Sequence, residues 1–501
     1  MSAHADADAA GLEQAARSQT GGGEDETTQT WFEHSTAKRI HTDTLIAQTL
    51  AKQYPNLDLV IAPPTNGLNL LAYANSGHAS YDAVEETGTV FPSTLSWTMY
   101  AAPARRIDGS MGRLIEKLNF GKFVYKWKDE EFVLYMADCR DGTMSYPQQT
   151  NHYILTAKRQ QAEALILEAG RWATELHGEL FVFDQGGWQK NAELYRSVMK
   201  ASWDNVILDA DMKKAIIDDH LNFFESRKTY QRLQVPWKRG IIYYGPPGNG
   251  KTISIKAMMH TLYSRDEPVP TLYVRSLVSY AGPEYSLRII FEKARQFAPC
   301  YLVFEDLDSI VSDNVRSYFL NEVDGLKNND GIFMIGSTNH LDRLDPGISK
   351  RPSRFDRKYL FPDPNLGDRI AYCKFWQSKL ADNDDIKFPD KLCTAIAEIM
   401  DKFSFAYMQE AFVAALLAIA RETESTLPSK EVVTRDMDDG WLGVSLVDGD
   451  DGLNELVLWV EIKKQVEILR EGMKEKRAAA MGRQKPNWGV SVKGSFTLKR
   501  G

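Results

Sequence analysis

The middle of this chain predicts an α/β fold: a parallel sheet covered by helices on both faces, with a small helical lid after it. A separate α/β or α+β domain precedes it. Three observations carry this reading. The stretch GPPGNGKT (residues 245–252) lies between an apolar run, RGIIYY (239–244), and a helix-forming run over 253–263. Beyond it, β-type and α-type patterns alternate, the order a parallel sheet with crossover helices requires. Past Pro364 the β pattern stops and helical spacing takes over.

Gly245, Pro246, Pro247, Gly248, Asn249, Gly250, Lys251 and Thr252 fit the phosphate-loop pattern G-x-x-x-x-G-K-[ST], in the strand–loop–helix context the pattern needs. The glycines let backbone N–H groups turn inward around phosphates, and the following helix aims its positive N-terminal end at them. Lys251 would reach the β- and γ-phosphates and the Thr252 hydroxyl would sit on Mg²⁺. A glycine-rich turn that merely joins strand to helix is the competing reading, and an eight-residue match in context disfavours it. Nucleotide binding follows.

In chain order, residues 1–30 are Ala-, Gly- and Thr-rich with six acidic side chains against Arg17, and read as a solvated, disordered arm. Residues 31–202 read as an N-terminal adaptor domain. Within it FVYKW (123–127) and EFVLYM (131–136) flank a turn at 128–130 and read as a hairpin, NHYILT (151–156) as a strand, and 160–177 as a helix. The Pro-, Gly- and Asn-rich stretch 62–98 has no clear period. Trp97, Phe120, Tyr125 and Trp127 could line a recognition surface, although core packing is the commoner fate of such residues. Residues 203–365 form the α/β core: a helix over 210–226, then strands at 271–276, 301–306, 331–339 and 357–361 alternating with helices at 284–297 and 313–323. Residues 366–427 form the lid, with helices over 368–380, 390–402 and 406–421. Residues 428–501 hold an acidic loop, a helix over 453–477 and a basic tail. Trp459, Ile462, Val466, Leu469 and Met473 give that helix one apolar stripe, which suits docking on the body of the protein better than a two-heptad coiled coil. A surface tail and an added strand both remain open for 485–500.

A chain of 501 residues holds two or three domains, and 43% apolar with 26% charged residues is ordinary for a soluble protein. The net charge of −8 gives nucleic-acid binding no support. Four cysteines without metal-ligand spacing read as reduced residues of an intracellular protein. No apolar run is long enough for a transmembrane helix. The acidic start suits neither a secretory signal nor a mitochondrial presequence, so the expectation is a soluble protein, cytoplasmic rather than mitochondrial.

Downstream of the phosphate loop the apolar run YLVF (301–304) ends in Glu305 and Asp306. A buried strand ending in two acids is the Walker B arrangement: one carboxylate, assigned to Glu305, holds the Mg²⁺ shell and the other, Asp306, orients the attacking water. GPPGNGKT, FEDLD (304–308), NEVDGL (321–326), GSTNHLDRLDP (336–346) and RPSRFDRK (351–358) together resemble an AAA-type ATPase, a P-loop NTPase, over about 204–421. KRGIIYYGPPGNGKT and the Glu-Asp order are similar to the chaperone group that moves the Rieske iron–sulfur protein. The resemblance implies that Asn339 is a polar sensor near the γ-phosphate. It further implies that Arg351 and Arg354 are arginine fingers reaching the ATP of a neighbouring subunit, hence a homo-oligomeric ring, commonly a hexamer. Tyr280 and Ala281 fall at the position of a pore loop. Taken singly, Asn339 could be a strand-end cap and the arginines surface ion pairs.

The Glu-Asp order puts the shorter acid at the catalytic position, the link from Asp308 to the NEVDGL helix leaves little room for a second pore loop, and no transmembrane segment precedes the ATPase stretch, unlike the Rieske chaperone. The expectation is an ATP- and Mg²⁺-dependent ATPase ring that remodels or translocates a protein client not named by the sequence. A nucleotide-dependent switch with little hydrolysis and a nucleic-acid motor are the alternatives.

Overall fold

The computed structural model describes residues 42–84, 94–103, 107, 109, 111–138, 150–324, 327–349, 354–383, 386–425 and 453–482. The chain divides into two compact units between Leu176 and His177.

The first unit is α+β. Helix α1 (Thr42–Gln53) precedes β1 (Asp58–Ala62), β2 (Ser80–Ala83), β3 (Thr94–Ala101), β4 (Arg113–Trp127), β5 (Glu130–Asp138), β6 (Thr150–Thr156) and helix α2 (Arg159–Thr174). The strands form one antiparallel sheet in the order β1-β6-β5-β4-β2, with β3 also paired to β4. The hairpin, strand and helix expected over 123–177 are present as β4–β5, β6 and α2. Trp127 pairs with Glu130, so the turn is the dipeptide Lys128-Asp129, with Lys128 at φ 55° as a tight hairpin turn demands. Ala162, Leu165 and Ala169 of α2 pack on Tyr125, Leu134 and Ile154 of the sheet, all fully buried. The aromatics divide: Tyr125 and Trp127 are core, Phe120 packs beside Tyr135, and Trp97 is exposed with the Lys117 ammonium 5.7 Å from its ring centre.

The second unit is built on a seven-stranded sheet. In chain order come β7 (Leu180–Asp184), β8 (Gly187–Asn191), α3 (Ala192–Met199), α4 (Ala210–Glu225), β9 (Arg239–Tyr244), α5 (Lys251–Tyr263), β10 (Thr271–Val274), α6 (Pro283–Phe297), β11 (Cys300–Phe304), α7 (Asp313–Asp324), β12 (Ile332–Thr338) and β13 (Arg357–Leu360). The sheet order is β13-β9-β12-β11-β10-β7-β8, parallel throughout except for β8. A central parallel strand is covered on both faces, so Ile241, Ile242 and Tyr243 of β9 are all completely buried instead of alternating.

Two expected boundaries move. The division expected at 202 lies at 176/177, because β7 extends the parallel sheet with Phe181 opposite Leu272 and Leu180 and Val182 join its core. The C-terminal helix, expected as part of a separate 428–501 segment, belongs to the lid. Helices α8 (Leu366–Lys379), α9 (Asp390–Ile399), α10 (Phe405–Ser425) and α11 (Val457–Gly482) share one core. Within it Trp459, Ile462 and Val466 are buried, with Leu469 and Met473 packed against them. The stripe read from sequence is therefore a docking face. The N-terminal arm, the acidic loop and the basic tail lie outside the described residues.

Candidate active site

In a parallel sheet every strand delivers its carboxyl end to the same edge, and the loops there gather the polar residues. β9 ends at Tyr244, β11 at Phe304 and β12 at Thr338, and each is followed by one of the sequence motifs. A cleft of about 580 Å³ opens at this edge, lined by Gly248, Gly250, Lys251, Thr252, Asp306, Ser337 and Asn339 from the core. Residues 205–207 contribute a further wall, and α8 and α10 of the lid close it with Tyr372, Phe375, Trp376 and Phe405.

The phosphate loop owes its shape to positive φ at Gly245 (138°), Gly248 (82°) and Gly250 (92°), and α5 starts directly at Lys251. At Gly248 a Cβ would lie 2.7 Å from that of Ala406, and the Ala406 N–H donates to the Gly248 carbonyl at 3.1 Å. The first turn of the lid helix α10 thus rests on the loop. Asn249, almost wholly buried, donates from Nδ2 to Asp363 Oδ1 at 2.8 Å and ties the loop to the segment after β13. Lys251 Nζ donates to the carbonyls of Gly245 (2.7 Å) and Pro246 (2.8 Å). Burial lowers the Lys251 pKa, and the Asp306 and Asp308 carboxylates oppose that shift.

The two acids of the Walker B stretch part company. Asp306 turns through a left-handed conformation (φ 51°), its N–H donating to Ser337 Oγ at 3.2 Å, and faces the cleft. Glu305 does not line the cleft. Its Oε2 accepts from the Tyr273 hydroxyl at 2.8 Å, and it faces a second cleft bounded by residues 275–279. Asp308, which sequence reasoning passed over, accepts from Thr338 Oγ1 at 2.7 Å and pins the end of β12 to that of β11.

Of the residues singled out, the fold brings Lys251, Thr252, Asp306 and Asn339 together and leaves Glu305 outside. Glu305, expected to hold the metal, follows the end of β11 and is bonded to Tyr273, whereas Asp306, in a left-handed turn, is the acid that lines the cleft. Thr252 and Asp306 offer hard oxygen donors on one wall, which suits Mg²⁺ shared with phosphates; among the described residues no group of three or more His, Cys, Asp and Glu could hold a metal unaided. Arg351 lies outside the described residues. Arg354, expected as a finger on the surface, is 8% exposed: Nη1 donates to the Gly347 carbonyl at 2.7 Å and Nε stands 3.6 Å from Asp324. The chain folds back there onto β9, with the Asp356 N–H donating to Gly240 at 2.8 Å, and this draws Arg354 inward. Tyr280 projects fully into solvent.

The aromatic lid wall was also missed. Its only sequence signal is the i, i+3, i+4 spacing of Tyr372, Phe375 and Trp376 on one helix face, which reads equally as core. Trp376 stacks on Phe412 at 5.2 Å, so its ring belongs to both lid core and cleft.

Phosphate loop, Walker B acid and strand-end asparagine around one cleft define a P-loop nucleotide-binding core. Residues 241–363 match the ATPase family associated with various cellular activities (AAA), and this part of the chain is an AAA ATPase domain. The chain is 31% identical over 206 residues to the ATPase histone chaperone YTA7 of Saccharomyces cerevisiae, a match covering 35% of this chain and 15% of that protein. It is 29% identical over 197 residues to an ATP-dependent zinc metalloprotease YME1 homolog of Caenorhabditis elegans (35% and 26%), and 32% identical over 184 residues to the ATPase histone chaperone abo1 of Schizosaccharomyces pombe (34% and 15%). The chain thus spans about a quarter or less of the length of these curated relatives. Among the described residues no helix is long and apolar enough to cross a membrane.

Proposed function

We propose that this chain binds and hydrolyses ATP with Mg²⁺ and couples the cycle to remodelling or translocating a protein client, as a homo-oligomeric ring. One observation carries the reading: Lys251, Thr252, Asp306 and Asn339 line one cleft whose far wall is the lid. Phosphates entering along the α5 N-terminus would replace the Gly245 and Pro246 carbonyls as acceptors for Lys251. Thr252 and Asp306 would hold Mg²⁺, which supplies charge neutralisation at the phosphates. Tyr372, Phe375 and Phe405 offer an apolar wall for the base ring, and nucleotide there would draw lid and core together. Asn339, on the cleft wall, would position a water. Two of the matched relatives are named histone chaperones, in keeping with a protein client; each match covers about a third of this chain and about a quarter or less of the relative, so protease chemistry is not carried over. The ring rests on Arg351 and Arg354 acting in a neighbouring subunit's site, which requires Arg354 to leave Gly347 on assembly.

ATP turnover measured against protein concentration tests this, with Asp306→Asn alongside. Activity that rises with assembly and is lost in Asp306→Asn while ATP still binds supports the reading. Binding without turnover at every concentration favours a nucleotide-dependent switch, for which the exclusion of Glu305 from the cleft already speaks. Salt-sensitive stimulation by DNA or RNA would point to a nucleic-acid motor.

A further inference from the structure

Exposed apolar side chains gather on β3, β4 and the turn between them more than anywhere else among the described residues. β4 pairs with β5 only from Phe120 onward, so over 113–118 its partner strand is β3, and the two form a ribbon about 20 Å long. Trp97 faces Lys117 and Met99 faces Ile115 on one side of the ribbon, and Tyr100 faces Leu114 on the other. Neither side is covered. Trp97, Met99 and Ile115 are 45%, 44% and 37% exposed, Tyr100 and Leu114 66% and 72%, and Ile107 and Met111 of the connecting turn both 90%. Exposure thus rises toward the tip. The tip is also held in shape: the Tyr100 hydroxyl donates to the Met111 carbonyl at 2.9 Å, and at Gly112 (φ 91°) a Cβ would meet the Ala101 carbonyl oxygen and the Tyr100 ring at 2.6 Å. Residues 102–117 carry four basic side chains against two acidic ones, in a chain of net charge −8. Of these, Arg113 and Lys117 stand on β4 behind the tip, with the Lys117 ammonium 5.7 Å from the Trp97 ring centre.

We propose that the tip of this ribbon docks on an anionic phospholipid bilayer, with Ile107 and Met111 entering the acyl boundary and Arg113 and Lys117 meeting the headgroup phosphates. The order of residues along the ribbon favours a bilayer over a protein groove. Ile107 and Met111 lead; behind them Tyr100 and Trp97, rings with a polar end, share the strands with the two cations. An aliphatic tip followed by aromatics mixed with cations matches the hydrocarbon and headgroup layers of a bilayer, and the long basic side chains can reach back to phosphate. A groove would cover one side of the ribbon, whereas here both sides and the tip are apolar. Penetration stops at the tip, because among the described residues the outer edge of β3 has no strand partner and its backbone groups need water. Two apolar side chains alone hold a bilayer weakly, and the local basic excess supplies the second attraction, within a Debye length of the surface. The inference does not depend on the ATPase reading.

Cosedimentation of the full chain with vesicles tests this, using phosphatidylcholine alone and phosphatidylcholine with about a third phosphatidylserine. The unaltered chain should bind the mixed vesicles at least about tenfold more tightly than the neutral ones, and added salt should erase the difference. The double substitution Ile107→Ser, Met111→Ser alters only side chains already in water, so ATP binding should stay unchanged while binding to mixed vesicles falls about tenfold. Arg113→Gln with Lys117→Gln should bring binding to mixed vesicles down to the neutral level. Failure of the unaltered chain to bind mixed vesicles, or equal binding by the serine variant, overturns the proposal. So does a smaller assembly mass of the serine variant in light scattering without lipid, which would make the ribbon a contact between copies of this chain.

Discussion

The two sheets of this molecule are of similar size and opposite logic. In the antiparallel sheet successive strands run in opposite directions, so strand ends are shared between two edges and its polar residues are spread along the strands. In the parallel sheet β9, β11 and β12 all end on one edge, and the motif residues meet there although scores of positions separate them. A site assembles where topology concentrates strand ends. The antiparallel unit has a well-filled core and no such edge.

This contrast can be broken or sharpened by experiment. The largest effect is expected from Phe333→Ala: Phe333 is completely buried, stacked 4.4 Å from His220, and its loss should destabilise the second unit by about 3–5 kcal/mol and weaken ATP binding. Leu134→Ala, equally buried in the antiparallel sheet, should lose about 2–5 kcal/mol in the unfolding of its own unit while folded protein binds ATP unchanged. Denaturant titration with ATP binding as the second probe separates these outcomes, and weakened binding in Leu134→Ala would end the division of labour. Lys251→Ala comes next, with turnover expected to drop about a hundredfold or more at unchanged thermal stability.

Acid should act through the parallel sheet. His220, wholly buried, donates from Nδ1 to the Ile216 carbonyl at 2.7 Å and receives the Tyr301 hydroxyl at Nε2, and burial lowers its pKa to about 4. An unfolded imidazole takes its proton near 6.5, so this contribution is complete above pH 6.5 and is lost as pH falls toward 4, at up to about 1.4 kcal/mol per pH unit. His220→Leu should flatten that slope in urea titrations. Gly248→Ala should cost about 1 kcal/mol through its positive φ and raise the KM for ATP roughly five- to tenfold by pushing Ala406 off the loop; an unchanged KM would mean the lid contact does not govern binding. The exposed pair Arg171–Glu175 sits at the bottom of the scale, and Arg171→Ala should change stability by under about 0.5 kcal/mol.

Much of this was legible in the residues. GPPGNGKT, the β–α alternation and the apolar stripe at 459–473 each have a local cause: phosphate geometry needs glycines at fixed offsets, and a buried helix face repeats every three to four residues. The sequence by itself therefore determined a phosphate-loop motif with its lysine and threonine, one buried strand leading to two acids and the docking face of the last helix. It assigned the metal to Glu305 and the water to Asp306, but which of the two adjacent acids lines the cleft is set beyond the strand, by the left-handed turn at Asp306 and by Tyr273, thirty-two positions before Glu305. Nor could it show Arg354 turned inward, which depends on the return of the chain against Gly240, or assign β7 and β8 to the second unit, since a five-residue strand does not itself say which sheet it joins. Local patterns fix what each segment becomes. Only the tertiary structure decides which segment meets which, because those contacts join residues that have no neighbourhood in the chain.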